Sequence, residues 1–283
     1  MADTAFQIQY RQEVVMAFEQ HKSVLRESVI TESVIKGNQA TFLVAGSGGA
    51  TAVTRGIDGK IPGRADDLNQ PVATLYEWHD KVQRTGFNIF ASQGDGRRIM
   101  QETTVAVINR RADEDIITQL ETATINTGTA QLATLGLVTK TIATLGINKV
   151  QFDGNIFAAV TPAFISALHS VTEFSNADYV TRKPVDSGDS FYKDMPGYYN
   201  WLGVKWIVHP DLPGNGTSAE KCFMYHRNAI GHAMDTSGMQ TYADYNEEDD
   251  YSWARCGVYM GGKLLQNAGV VVMNHKGDEF NFN

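Results

Sequence analysis

The chain has 283 residues, of which 42% are hydrophobic and 20% charged. That balance fits a globular protein with a sizeable core and excludes a disordered one. The net charge of −8 argues against a protein that grips nucleic acid by neutralising phosphates. No apolar run approaches a membrane span, and the first residues lack the basic start and apolar block of a secretory signal. The cysteines, Cys222 and Cys256, stand outside metal-type spacing and fit a reducing compartment. Charge is uneven along the chain. Residues 1–150 carry 15 Lys and Arg against 16 Asp and Glu, and residues 151–283 carry 9 against 16. Two regions with different surroundings are expected.

Residues 5–30 place Val14, Phe18, Val24 and Leu25 at mostly helical spacing, which predicts an N-terminal helical arm. The segment from 40 to 90 is rich in Gly and Thr. Asp58-Gly59 is the pair that accepts the two positive φ values of a tight hairpin turn. On the return, Val72, Thr74, Tyr76 and Trp78 alternate with their neighbours, predicting one strand with an apolar face. A long two-stranded hairpin follows, and it cannot cover its own edges or apolar face. Residues 93–123 carry the strongest helix signal. Val105, Ile108, Ala112, Ile116 and Leu120 recur at three or four, Ile117 widens the stripe, and Asp95 is placed to cap the start. A second helix is predicted within 129–146, weakened by Gly136. Further on, Ile156–Val160 reads as a strand, and Thr161-Pro162 as the cap and first residue of a helix carrying Phe164, Ile165 and Leu168. "WLGVKWIVH" reads as one strand ended by Pro210, and "DYNEEDDYS" as a solvated acidic loop.

Gly46-Ser47-Gly48-Gly49 follows a short apolar run, as a phosphate loop would. The dinucleotide fingerprint fails because Thr51 stands at the third glycine position and no helical pattern follows. Gly59-Lys60 is followed by Ile61, so the other phosphate-loop pattern fails as well. No His-Glu-x-x-His pair and no nucleophile elbow is present, and counting from Asp244 the calcium-loop positions hold Asp249 and Arg255. No enzyme activity, metal or cofactor is expected.

The stretches "VIKGNQATFLVAGSGGATAVTRG", "EWHDKVQRTGFNIFASQGDGRRIMQETTVAVINRRADEDIITQLETATINTG", "YHRNAIGHAM" and "VYMGGKLLQNAGVVV" together resemble the major capsid proteins of tailed double-stranded DNA phages. The resemblance implies an α+β protein with the Hong Kong 97-type fold. Residues 1–40 would be its N-terminal arm and 41–92 its extended loop. Residues 93–154 and 256–283 would form the peripheral domain with its spine helix, and 155–255 the axial domain. It further implies a self-assembling icosahedral shell of hexamers and pentamers around double-stranded DNA, located in the virion and assembled in the host cytoplasm. A portal, a separate scaffolding protein, and decoration or cement proteins would be partners; DNA would be enclosed without sequence-specific binding, and no membrane is involved. A cargo-enclosing compartment of the same fold is the near alternative, and a soluble nucleotide-binding enzyme the distant one. Inter-subunit contacts are expected at Gly46, Gly48, Gly49, Arg55, Asp58, Gly59, Lys60 and Arg64 of the loop. Asp113, Glu114 and Asp115 of the spine are the leading acceptors for the loop cations of an adjacent subunit.

Overall fold

The computed structural model describes residues 22–34, 37–47, 49–65, 67–86, 96–175 and 198–279. In chain order the strands and helices are β1 (Ile30–Val34), β2 (Gln39–Thr41), β3 (Val44–Gly46), β4 (Asp67–Asn69), β5 (Val72–Thr74), β6 (Tyr76–Thr85), α1 (Gly96–Glu121), α2 (Leu135–Ile147), β7 (Ile156–Val160), α3 (Pro162–His169), the single turn α4 (Thr172–Ser175), β8 (Tyr198–Trp201), β9 (Val204–Val208), β10 (Glu220–His226), β11 (Ile230–Asp235), β12 (Gln240–Asn246), β13 (Tyr251–Leu264) and β14 (Val270–His275). By contacts the chain divides into two units. One holds Glu77–Arg111 and Ser237–Tyr259, and the other holds Val24–Tyr76, Ala112–Thr236 and Met260–Asn283.

The larger unit is built on a five-stranded sheet in the order β14-β10-β7-β9-β8. Side chains alternate strictly along its strands. Ala158, Trp206, Cys222, Met224, Val271 and Met273 point to one face, where Leu137, Val138 and Leu145 of α2 and Phe164 and Leu168 of α3 cover them. Phe157, Ala159, Ile207, Phe223 and Val272 point to the other, against Ile116, Ile117 and Leu120 of α1. Burial of both faces is why these strands read as continuous apolar runs, all five residues of β7 being buried. Thr161 caps α3 by accepting from the Phe164 amide, with Pro162 in the first turn, as expected. Gly136 falls in the first turn of α2, behind the Thr134 cap, where glycine costs little. A second sheet of this unit joins β1, parallel to β11, with the end of β13 antiparallel to β11.

In the smaller unit β12 pairs with the first half of β13, and β6 also pairs with β13. The helix α1 has 26 residues, about 39 Å of rod at 1.5 Å per residue. Ile108, Ala112, Ile116 and Leu120 are buried as the spacing predicts, while Val105 is only half-buried.

Several expectations are corrected. The helical arm lies largely outside the described residues. Where the chain is described, Arg26–Ser28 is a single 3-10 turn and Ile30 already begins a strand. The return strand is two strands, and its buried residue is Ala73, with Val72 and Tyr76 exposed. Asp95 lies outside the described residues. "WLGVKWIVH" is a hairpin, because Leu202 and Gly203 both take positive φ, 55° and 72°. That is the two-residue turn whose twist matches its strands. The acidic run is the tip of the β12–β13 hairpin, its flanks paired from Asp244↔Trp253 to Asn246↔Tyr251. Finally, β14 pairs with β10 in the sheet that also holds β7 and β9, so the end of the chain belongs with residues 156–226 rather than apart from them.

Candidate functional site

The loop between β1 and β6 has a root, a stalk and a tip. Its root is a small apolar pocket of Ala40, Phe42 and Ala73 with Ala233 and Leu265. Bare backbone makes this seat. A Cβ on Gly231 of β11 would lie 2.7 Å from the Phe42 ring, and one on Gly261 of β13 would lie 2.1 Å from the Thr74 carbonyl oxygen. Glycine within a strand marks such close approaches. The stalk is two short antiparallel ladders, β2 with β5 and β3 with β4, tied by Phe42 N donating to Pro71 O and Leu75 N to Asn38 O.

Beyond the stalk every residue from 51 to 65 is exposed. At the tip Gly59 N donates to Gly56 O, and Gly56 N to Lys60 O. Only Gly59 takes positive φ, at 71°. This is a turn closed by a glycine bulge and not the two-residue turn expected for Asp58-Gly59, because Asp58 keeps ordinary φ. Arg55 Nη1 donates to Gly59 O at 3.3 Å, and Arg64 Nη1 to Ser47 O at 3.2 Å. Gly49 has φ 76°, and Gly46 pairs with Asp67, its bare α-carbon facing that carboxylate. Gly48 lies outside the described residues. Val53, Ile57 and Ile61 are exposed, Ile57 completely. Among the described residues no helix lies between the glycines and Thr85, so they present no helix N-terminus to a phosphate.

The acidic trio on α1 separates. Asp113 is fully buried, with Oδ2 and Oδ1 accepting from the amides of Val24 and Leu25 at 3.0 Å each and Oδ2 within 3.3 Å of His209 Nε2. It fastens the entering chain to the spine of its own subunit. Asp115 is nearly buried, 3.8 Å from His232 Nε2 and under Gly262. Glu114 alone of the three is half-exposed. Burial removes Asp113 and Asp115 as acceptors for a neighbour's cations, and both oxygens of Asp113 are already occupied. The i, i+2 spacing around a helix had already turned them from one common surface, a signal that the sequence carried.

One buried cluster has the look of acid–base chemistry. Glu220 Oε1 accepts from Thr161 and lies 2.8 Å from His275 Nδ1, while Oε2 accepts from Gly216 N at 3.0 Å. Burial raises the Glu220 pKa, but His275, Thr161 and the Gly216 amide outweigh it and hold the carboxyl below its ordinary value. Thr161 is the α3 cap and all three side chains are sealed in the core, so the cluster ties the end of β14 to the sheet. Among the described residues no group of three or more His, Cys, Asp or Glu is placed to hold a metal ion.

The phage capsid protein family matches residues 2–277, and the chain belongs to that family. Among solved structures it is similar to that of Mycobacterium phage Che8, with 17% identity, a TM-score of 0.70, and 96% of this chain and 98% of that one covered. It is similar to the capsid of Ralstonia phage GP4 at 12% identity and TM-score 0.73, covering 99% and 98%. The capsid of a native GTA particle matches at 12% identity and TM-score 0.68, covering 97% of each chain. No curated protein matches. The protein is thus a structural capsid protein of a bacteriophage, it associates with copies of itself, and its place is the virion.

Proposed function

We propose that hexamers and pentamers of this protein close into an icosahedral shell around double-stranded DNA, each extended loop lying over a neighbouring subunit. The observation that carries this is the loop itself. Its root is seated in the fold, yet residues 51–65 are all exposed with Val53, Ile57 and Ile61 among them. An isolated two-stranded ribbon is marginal in water, and open edges and apolar side chains find cover on another copy. The acidic balance of the chain suits a wall that encloses DNA without gripping it. A portal, a separate scaffolding protein and decoration proteins complete this reading, with assembly in the host cytoplasm. The test is electron microscopy of the full-length protein beside a variant with residues 51–64 replaced by a short Gly-Ser linker. Shells, or rings of five and six, are expected from the first and none from the second. Shells of normal form without the loop would refute the reading.

A further inference from the structure

The segment Val24–Val29, where the chain enters the larger unit, is held by groups that can take up a proton. Two histidines carry the same local device. His209 directly follows β9 in "HPD", and His226 ends β10 in "HRN". In each, ring Nδ1 accepts from the backbone amide two residues on, Asp211 N at 3.2 Å and Asn228 N at 3.1 Å. A nitrogen that accepts carries no hydrogen, so the neutral ring holds its proton on Nε2. That nitrogen donates to an aspartate from a distant part of the chain, His209 to Asp113 Oδ2 at 3.3 Å and His226 to Asp153 Oδ1 at 3.0 Å. Both residues are buried, at 2% and 8% exposure.

Both devices bear on the entering segment. Asp113, the partner of His209, accepts the Val24 and Leu25 amides. The turn that His226 caps carries Arg227, whose Nε donates to Val29 O at 3.3 Å. A third histidine, His232 of β11, lies fully buried near Arg26 of the same segment and Asp113, with Asp115 3.8 Å from its Nε2. The charged groups facing the three rings are thus Asp113 and Asp115 of α1, Arg26 of the segment, Asp153 ahead of β7, and Arg227 of the capped turn. The other holds on the segment contain no imidazole: Leu25 and Val29 sit in the core, and Ser28 Oγ bonds the Tyr225 hydroxyl. A charged ring keeps its aspartate and gives up its turn, because Nδ1 then carries a hydrogen facing the amide hydrogen. At His226 that frees Arg227 from Val29. At His209 it shifts the ring that braces the Asp113 carboxylate. A charged His232 stands against the Arg26 guanidinium, a like-charge approach in a buried place. We infer that the three histidines form a proton-operated clasp on residues 24–29, which holds while the rings are neutral and opens locally when they charge, the sheet core staying folded. The clasp belongs to the single subunit and does not depend on how the extended loop meets a neighbour.

The test is hydrogen exchange of the full-length protein, read by mass spectrometry of its peptides and corrected for the intrinsic pH dependence of amide exchange. Between about pH 7.5 and pH 5, where imidazoles change charge, the peptide covering residues 24–29 loses protection roughly tenfold or more. Strand β7 keeps its protection over the same range. His209→Asn and His226→Asn are the variants, since an asparagine oxygen accepts the same amide and takes up no proton. Each shrinks the pH-dependent loss by a factor of about three or more. The nitrogen chemical shifts of the histidine rings give a reading that needs no variant, with His209 and His226 in the Nε2–H form at neutral pH. Protection of 24–29 that holds through the whole range, or that falls only together with β7, would overturn the clasp. So would a loss of wild-type size in both asparagine variants, or rings that carry their proton on Nδ1.

Discussion

Replacing Gly261 by alanine tests how the loop is seated. The new methyl carbon would stand 2.1 Å from the Thr74 carbonyl oxygen and 2.9 Å from its carbon. A carbon–oxygen contact settles at about 3.3 Å, so one backbone must retreat by about 1 Å. Neither side yields easily. Thr74 is paired with Gln39 in the stalk, and the adjacent Ala73 is fully buried beside Phe42. On the other side Gly261 is paired with Ala233 within the β11–β13 ladder. Overpacking against fixed backbone costs about 1–3 kcal/mol and occasionally more, and the upper end is expected here. The loop root lifts, and its exposed tip is re-aimed. Urea unfolding of the unassembled subunit reads the stability change, and particle yield reads the effect on the loop. Gly63→Ala is the control for stability, since its Cβ would meet nothing within 4 Å of the subunit and should leave urea unfolding near wild type. Gly261→Ala with wild-type stability and wild-type yield would show that the loop root is not held by this close approach.

Asp113→Ala removes the acceptor of two backbone amides and leaves His209 buried beside the gap. A loss of about 3–5 kcal/mol in urea unfolding is expected from unsatisfied buried donors, and a loss under about 1 kcal/mol would refute the latch. His232 gives a pH dependence. It is fully buried, neither ring nitrogen has a hydrogen-bond partner among the described residues, and Asp115 and Arg26 stand near it. Burial first, then the Arg26 charge, lowers its pKa from 6.5 to about 4, against a smaller opposing pull from Asp113. The unfolded chain therefore takes up this proton first. The stabilising difference is complete above pH 6.5 and is lost as pH falls toward about 4, at most about 3 kcal/mol in all. His232→Leu should flatten that part of the stability profile; an unchanged slope would assign the acid sensitivity to other groups.

Local chemistry fixed a good deal of this fold. The α1 stripe at Ile108, Ala112, Ile116 and Leu120, the Thr161-Pro162 start of α3 and the apolar run of β7 each carry their own period or cap, so each is legible over a few residues. The exposed loop was legible too, because glycine and Asp-Gly punctuation depend on backbone freedom alone. Tertiary contact decided the rest. Nothing local tells that the Asp113 carboxylate turns inward to bond Val24 and Leu25, since those amides lie 88 and 89 residues away. The same holds for "GG" at 261–262. Its spacing marks only an absence of side chains, and it is the passage of Thr74 on one side and of Asp115 and Gln119 on the other that gives that absence a purpose. Periodicity records which residues are buried. What they are buried against depends on chain segments far apart in sequence, and that pairing is set only when the fold closes.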